Sequence, residues 1–200
     1  MKLGPAPSPS YIARVAPAET RYVALLRGIN VGGSNLIRMT ALQLCFEQQG
    51  WQDVVTYIQS GNVLFTAAES QAEKLAGRIE GAIGRAFGVS TRVFLRSGKQ
   101  MRDIVARAPR GFGAQPERYR YDVIYLRQRL SASAVVNGVP VNPEVDRAVA
   151  GRGVLYFSRL ISKASRSRLS RLMSLPVYKD LTIRNWNTTT RLLQLLEAPI

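Results

Sequence analysis

The sequence contains no histidine and a single cysteine, Cys45. One cysteine cannot close an intramolecular disulfide, which is the usage of a reducing compartment, so a cytoplasmic protein is expected. Without histidine, nitrogen-and-sulfur metal sites of the zinc type are excluded, as is Ser-His or Cys-His catalysis within one chain. No apolar run approaches the roughly 18 residues of a membrane span, and residues 1–20 lack the continuous apolar core of a secretory signal. No membrane association, metal or cofactor is expected. Acidic residues are scarce as well: thirteen Asp and Glu face twenty-eight Lys and Arg, a net charge of +15 and a pI near 10.9. Such a field attracts nucleic acid or phosphorylated small molecules. An arginine-rich surface that serves solubility has the same composition.

What is present describes an ordinary globular chain. Its 200 residues are 46% hydrophobic and 20% charged, enough for one large domain or two small ones. Residues 1–20 carry Pro5, Pro7, Pro9 and Pro17 and read as a flexible arm. The apolar run from Tyr22 to Leu26 reads as a buried strand leading into a Gly-rich loop. Thr40 and Gln43 then suggest a capping box for a helix stopped at Gly50. Val54–Ile58 and Val63–Phe65 read as a hairpin around Gln59-Ser60-Gly61-Asn62. A helix capped by Ser70 and Glu73 and a strand from Thr91 to Leu95 complete a βαββαβ order. Ser97 and Gln100 cap a connecting helix. A second βαββαβ order follows: a strand at 120–126, a helix at 131–136, strands at 145–149 and 154–157, a helix at 165–173 and a strand at 181–185. A terminal helix from Thr188 is capped by Asn187. The expected fold is α+β, two tandem ferredoxin-like modules over residues 21–97 and 98–200. No sequence repeat relates the halves.

The charge is concentrated in the second module, with eighteen bases and seven acids, against eight and five in the first. Three polar stretches are candidate ligand sites. Arg27, Asn30, Gly32 and Gly33 follow the first strand. Ser60 and Asn62 lie in the hairpin turn, which βαββαβ topology brings to the same sheet edge. Arg184, Asn185 and Asn187 lie where the last strand enters the last helix, an end suited to anions, with Trp186 offering a stacking face. Each has an architectural alternative: Asn30 and Asn62 as left-handed loop residues, Asn187 as a cap, Trp186 as a core anchor. A fourth stretch, Ser162 to Arg168, could grip phosphates or form a solvated face.

Arg27-Gly28-Ile29-Asn30-Val31-Gly32-Gly33, Tyr57-Ile58-Gln59-Ser60-Gly61-Asn62-Val63 and Arg184-Asn185-Trp186-Asn187-Thr188 together resemble the signatures of the DUF1697 family of unknown function, in the expected order over about residues 20–197. The resemblance implies an α+β fold with ferredoxin-like units and no established activity, cofactor or partner. Ser34 departs from the lysine usual there, and if that lysine serves a phosphate site elsewhere, Arg38 is a substitute.

Three functions compete. Binding of an anion, either nucleic acid or a nucleotide-like molecule, follows from the charge. RNA-recognition domains use a similar frame but need aromatics on the exposed faces of strands one and three, where the first module offers only Tyr22 and Phe65. An enzyme acting on a small anionic substrate at loops 27–33 and 59–62 would lack a general base in all three stretches, with Asp53 and Asp180 remote. A structural protein would use the same loops to lock the modules together.

Overall fold

The computed structural model describes residues 19–33, 35–68 and 71–199. The expected Pro-rich arm, apart from its last two residues, lies outside them, as do Ser34 and Ser70. The first half comprises β1 (Thr20–Arg27), α1 (Met39–Glu47), β2 (Gln52–Tyr57), β3 (Asn62–Ala67), α2 (Ala72–Phe87), β4 (Arg92–Ser97) and α3 (Gly98–Ala106). The second comprises β5 (Tyr119–Leu126), α4 (Ala132–Gly138), β6 (Asp146–Ala150), β7 (Val154–Leu160), a 3-10 segment (Ile161–Arg166), α5 (Leu169–Leu172), a further 3-10 turn (Pro176–Asp180), β8 (Leu181–Asn185) and α6 (Trp186–Glu197). The sheets are antiparallel with orders β2-β3-β1-β4 and β6-β7-β5-β8. This is the expected α+β fold, with the same order in both halves.

β1 reads as an unbroken apolar run because both its faces are covered. Tyr22, Ala24 and Leu26 join the core beneath α1 and α2, whereas Val23 and Leu25 turn toward the second sheet. There they meet Val123 and Tyr125 of β5 and Val154 and Tyr156 of β7, with Met101 and Ile104 of α3 and Leu192 and Leu196 of α6. The far face of the second sheet packs Ile124, Leu126, Leu155 and Phe157 against Leu169, Leu172 and Val139. The order is helices, sheet, shared core, sheet, helices. Tyr22 and Phe65 stack 5.9 Å apart in the helix-side core, so the first sheet offers neither ring to a base.

Several helix starts differ from expectation. α1 begins at Met39 after Arg38, without a side-chain cap, so Thr40 lies inside its first turn. The N-cap of α2 is Gln71. The Ser97–Gln100 capping box is present. α6 starts two residues early: β8 runs straight into it, and Asn185, still extended, caps it by accepting from Thr188 N at 2.7 Å. Asn187 is therefore a first-turn residue and not the cap. The helix expected over 165–173 is broken, because the Asp146 carboxylate accepts from the amides of Arg168 (2.8 Å) and Asn142 (3.0 Å) and pins the chain between its halves.

Candidate functional site

Asn30 sits at φ 55°, in the left-handed region that Asn tolerates better than most side chains. Its amide donates to Gln59 O (2.9 Å) and Ile37 O (3.0 Å), and its Oδ1 accepts from Ile37 N (2.7 Å). The first loop is thus stitched to itself and to the hairpin. Gly32 and Gly33, at φ 60° and 77°, form the exposed loop tip. Asn62 is fully buried and donates to Tyr57 O and Ser60 Oγ. The two loops converge, as the topology requires.

Arg184 joins them from the other half. Its Nε donates to Asn62 Oδ1 at 2.6 Å. Nη2 donates to Leu26 O (2.8 Å), Ser60 O (2.9 Å) and Gly61 O (3.3 Å), and Nη1 to Ile183 O and Thr182 Oγ1. Arg184 is 8% exposed, and each nitrogen of its guanidinium faces protein oxygen. Arg27 lies beside this junction with its guanidinium 4.6 Å from the Tyr178 ring. Asn62 and the carbonyls of Leu26, Ser60 and Gly61 therefore meet Arg184 in a hydrogen-bonded joint, to which Asn30 ties the first loop through Gln59 O, while Gly32 and Gly33 stay exposed. Asn185 and Asn187 stay exposed beyond it.

The same contacts occur with the halves exchanged. Arg184 lies opposite Val123 in the β5–β8 ladder, and Arg96 opposite Val23 in the β1–β4 ladder. Arg96, 5% exposed, donates from Nη2 to Leu126 O (2.7 Å) and Gly153 O (2.9 Å), and from Nη1 to Leu95 O (2.7 Å). Gly153 and Gly61 are equivalent turn residues, at φ 71° and 72°, and accept from Leu126 N and Leu26 N respectively. Each half thus inserts an arginine from its fourth strand into the hairpin turn of the other. Ser97 and Asn185, the next residues, cap α3 and α6.

Between the arginines lies Tyr125, which donates to Thr189 Oγ1 at 3.1 Å and faces the Arg96 guanidinium at 5.6 Å from its ring. Burial pushes its hydroxyl up to about 12, opposed by the Thr189 hydrogen bond and the two arginines. Burial lowers Arg96 and Arg184 to about 10, opposed by Tyr125. Both guanidinium groups remain charged at neutral pH.

The exchange is not symmetric in what surrounds it. Near the Arg184 side Arg27 lies over the Tyr178 ring, whereas the Arg96 side opens into a cleft of about 990 Å³. Lys74, Lys99, Arg127 and Arg152 line it with Gln100 and Gln128, and Arg96 is in its wall. Its carboxylates are Asp103, paired with Arg152 at 3.7 Å, and Glu73, paired with Arg129 at 3.2 Å. Arg127 pairs with Asp180 at 3.8 Å. Lys74 and Lys99 are exposed and have no ion-pair partner among the described residues. Five bases against two acids leave the cleft positive. Among the described residues no three Asp, Glu or Cys gather to hold a metal ion, and no helix is long and apolar enough to cross a membrane.

A family model described as a protein of unknown function (DUF1697) matches residues 20–156, which hold β1, the paired loops, Arg96 and the cleft. The chain belongs to the DUF1697 family. Its similarity extends to a solved structure, that of the conserved bacterial protein SP0830 from Streptococcus pneumoniae, at 26% identity and a TM-score of 0.79, over 90% of this chain and 100% of that one. No curated protein matches the chain. In this DUF1697 protein the Arg184 stretch lies beyond the matched residues, although its side chain completes the joint made by the two signatures within them. Sequence reasoning missed Arg96 and the cleft. The signal was an arginine directly before a helix cap, Arg96-Ser97, repeated as Arg184-Asn185.

Proposed function

We propose that this DUF1697 protein binds a phosphorylated small molecule of nucleotide size in the cleft beside Arg96. The observation that carries the reading is the cleft itself: about 990 Å³, within the usual range of ligand sites, with Lys74 and Lys99 exposed and unpaired on its walls. Arg127 and Arg152 enlarge the positive field. Asp103 and Glu73 are held by arginines, so the cleft is offered as a binding site and not as a reaction centre. The ligand-site role moves from Arg27, Asn30, Gly32, Gly33, Ser60, Asn62 and Arg184, which this reading treats as a brace, to the equivalent edge of the opposite half. The chain then works as two modules, 21–97 and 98–200, with the ligand between them, in a cytoplasmic setting that suits the buried, free Cys45.

Isothermal titration with ADP and with inorganic triphosphate at low salt tests this. Saturable binding is expected, weakened by about tenfold or more in the double variant Lys74→Gln/Lys99→Gln, since two charge-assisted contacts are lost. Absence of heat with both probes, or equal affinity in the variant, would refute it.

The architectural reading of the paired loops rests on one observation of its own, the six hydrogen bonds of Arg184. It concerns the opposite edge and is compatible with a ligand at the cleft.

A further inference from the structure

The second sheet is not fully covered by the first. Along β5 the residues of one face are Tyr119, Tyr121, Val123 and Tyr125. Val123 and Tyr125 are buried in the shared core, whereas Tyr119 and Tyr121 are half-buried and line a groove of about 540 Å³. Ladder pairing sets Arg147 of β6, Ser158 of β7 and Tyr121 of β5 in one row across three strands. Leu160 pairs with Tyr119 in the next row outward. The segment after α3 forms the far wall with Arg110, Phe112 and Gln115.

An aromatic series crosses this surface. Trp186 and Phe112 meet edge-on with centroids 5.2 Å apart, Phe112 meets Tyr121 at 4.9 Å, and Tyr121 meets Tyr119 at 6.1 Å. The buried end is locked: Tyr156 packs on Phe112 at 5.3 Å and donates to Ile104 O at 2.7 Å. Phe112 and the two outer tyrosines remain at the groove. Arg110, Arg118 and Arg147 are exposed around them and have no carboxylate partner among the described residues. Arg118 lies 5.4 Å from the Tyr119 ring. The acids at the groove are engaged elsewhere, Glu144 with Arg166 at 2.6 Å and Asp146 with the amides of Asn142 and Arg168.

We infer that this face of the second sheet binds single-stranded nucleic acid, with bases stacked on Tyr119 and Tyr121 and phosphates met by Arg110, Arg118 and Arg147. Three features select that occupant. Planar rings held by aromatic neighbours take bases of any sequence, because every base has a π-face. Unpaired arginines on the rim complement a phosphate chain. The row from Arg147 through Ser158 to Tyr121 crosses the strands, so it accommodates an extended chain. A duplex presents its base faces to its own stack and gains only the phosphate contacts.

Fluorescence anisotropy with a labelled oligouridylate of about twelve nucleotides tests this, with inorganic polyphosphate, poly-glutamate and an RNA duplex as competitors. The oligouridylate is expected to bind saturably. Tyr119→Leu should weaken it by about tenfold, the size of a lost stacking contact, and leave polyphosphate binding unchanged. Arg147→Gln, at an exposed position, should weaken every polyanion and reduce the salt slope by about one. The cleft variant Lys74→Gln/Lys99→Gln should leave oligouridylate binding intact, which separates this surface from the cleft. Competition by duplex, polyphosphate or poly-glutamate as effective as by unlabelled oligouridylate would overturn the inference. So would a Tyr119→Leu protein, folded by circular dichroism, that retains its affinity, or an Arg147→Gln protein that loses none.

Discussion

Replacing Arg184 with methionine separates a brace from a ligand site. Methionine fills similar space but donates no hydrogen bond. Four acceptors of the first half then lose the guanidinium: Asn62 Oδ1, Leu26 O, Ser60 O and Gly61 O. They are not equally harmed. Gly61 O keeps Leu26 N at 2.8 Å, and Ser60 is only half-buried, so water can reach its carbonyl. Asn62 and Leu26 are 0% and 1% exposed, and each buried acceptor left without its donor costs about 1–3 kcal/mol. Removing the charge returns part of that by relieving its desolvation, so the expected net loss is about 3 kcal/mol. For a chain of this length that corresponds to a Tm lower by about 6–12 °C. Arg184→Lys should fall between the two, because one ammonium cannot face Asn62 and the carbonyls in the guanidinium's planar arrangement. Urea unfolding and calorimetry measure both variants. A methionine variant less than about 1 kcal/mol below the parent, or a lysine variant as stable as the parent, would refute the brace, since an arginine kept for a ligand is dispensable to the fold.

Asn30→Ala removes four side-chain hydrogen bonds, the longest of them to Met39 Sδ, from a residue at φ 55° and should destabilise by about 2–3 kcal/mol in the same assay; Asn30→Gly, which tolerates the backbone, should recover part of it. Gly113→Ala places a Cβ 2.3 Å from Trp186 Nε1 at φ 86°, so Trp186 must shift; a lower Tm with a changed tryptophan emission is expected, and an unchanged spectrum counts against the contact. In alkaline titration followed by tyrosine absorbance, Tyr125 and Tyr156 should ionise late, near pH 12. Their folded values lie above the ordinary 10, so their stabilising contribution is complete below pH 10 and disappears as pH rises through 12. The lowered Arg96 and Arg184 act with opposite sign over the same range. Substituting Tyr125 with Phe should remove one of the late ionisations; a late phase that the substitution leaves unchanged would refute the burial argument.

The strand order, the α+β class and the pairing of the loops at 27–33 and 59–62 were legible in the sequence, because hydrophobic period, turn residues and βαββαβ topology are local or combinatorial signals. Helix starts were read less well. Asn187 and Thr40 are good cap residues, but the true boundary is set by where β8 runs into α6 and where the loop delivers the chain to Met39. The break in the helix expected over 165–173 depends on a carboxylate, Asp146, 22 residues from the Arg168 amide it holds.

The sequence by itself determined the frame: two βαββαβ halves, no histidine chemistry, and a positive charge weighted to the second half. Only the tertiary structure decided what the polar residues do. Arg96 and Arg184 are ordinary strand-end arginines until the two sheets face each other and their guanidinium groups find the carbonyls of the opposite turn. The same packing sets Arg27 against Tyr178 at one edge and leaves the equivalent edge open as a cleft. It buries Tyr22 and Phe65 under helices while leaving Tyr119 and Tyr121 at a groove. Residue type sets what a side chain can bind, but which face of a strand stays uncovered depends on elements distant in the chain.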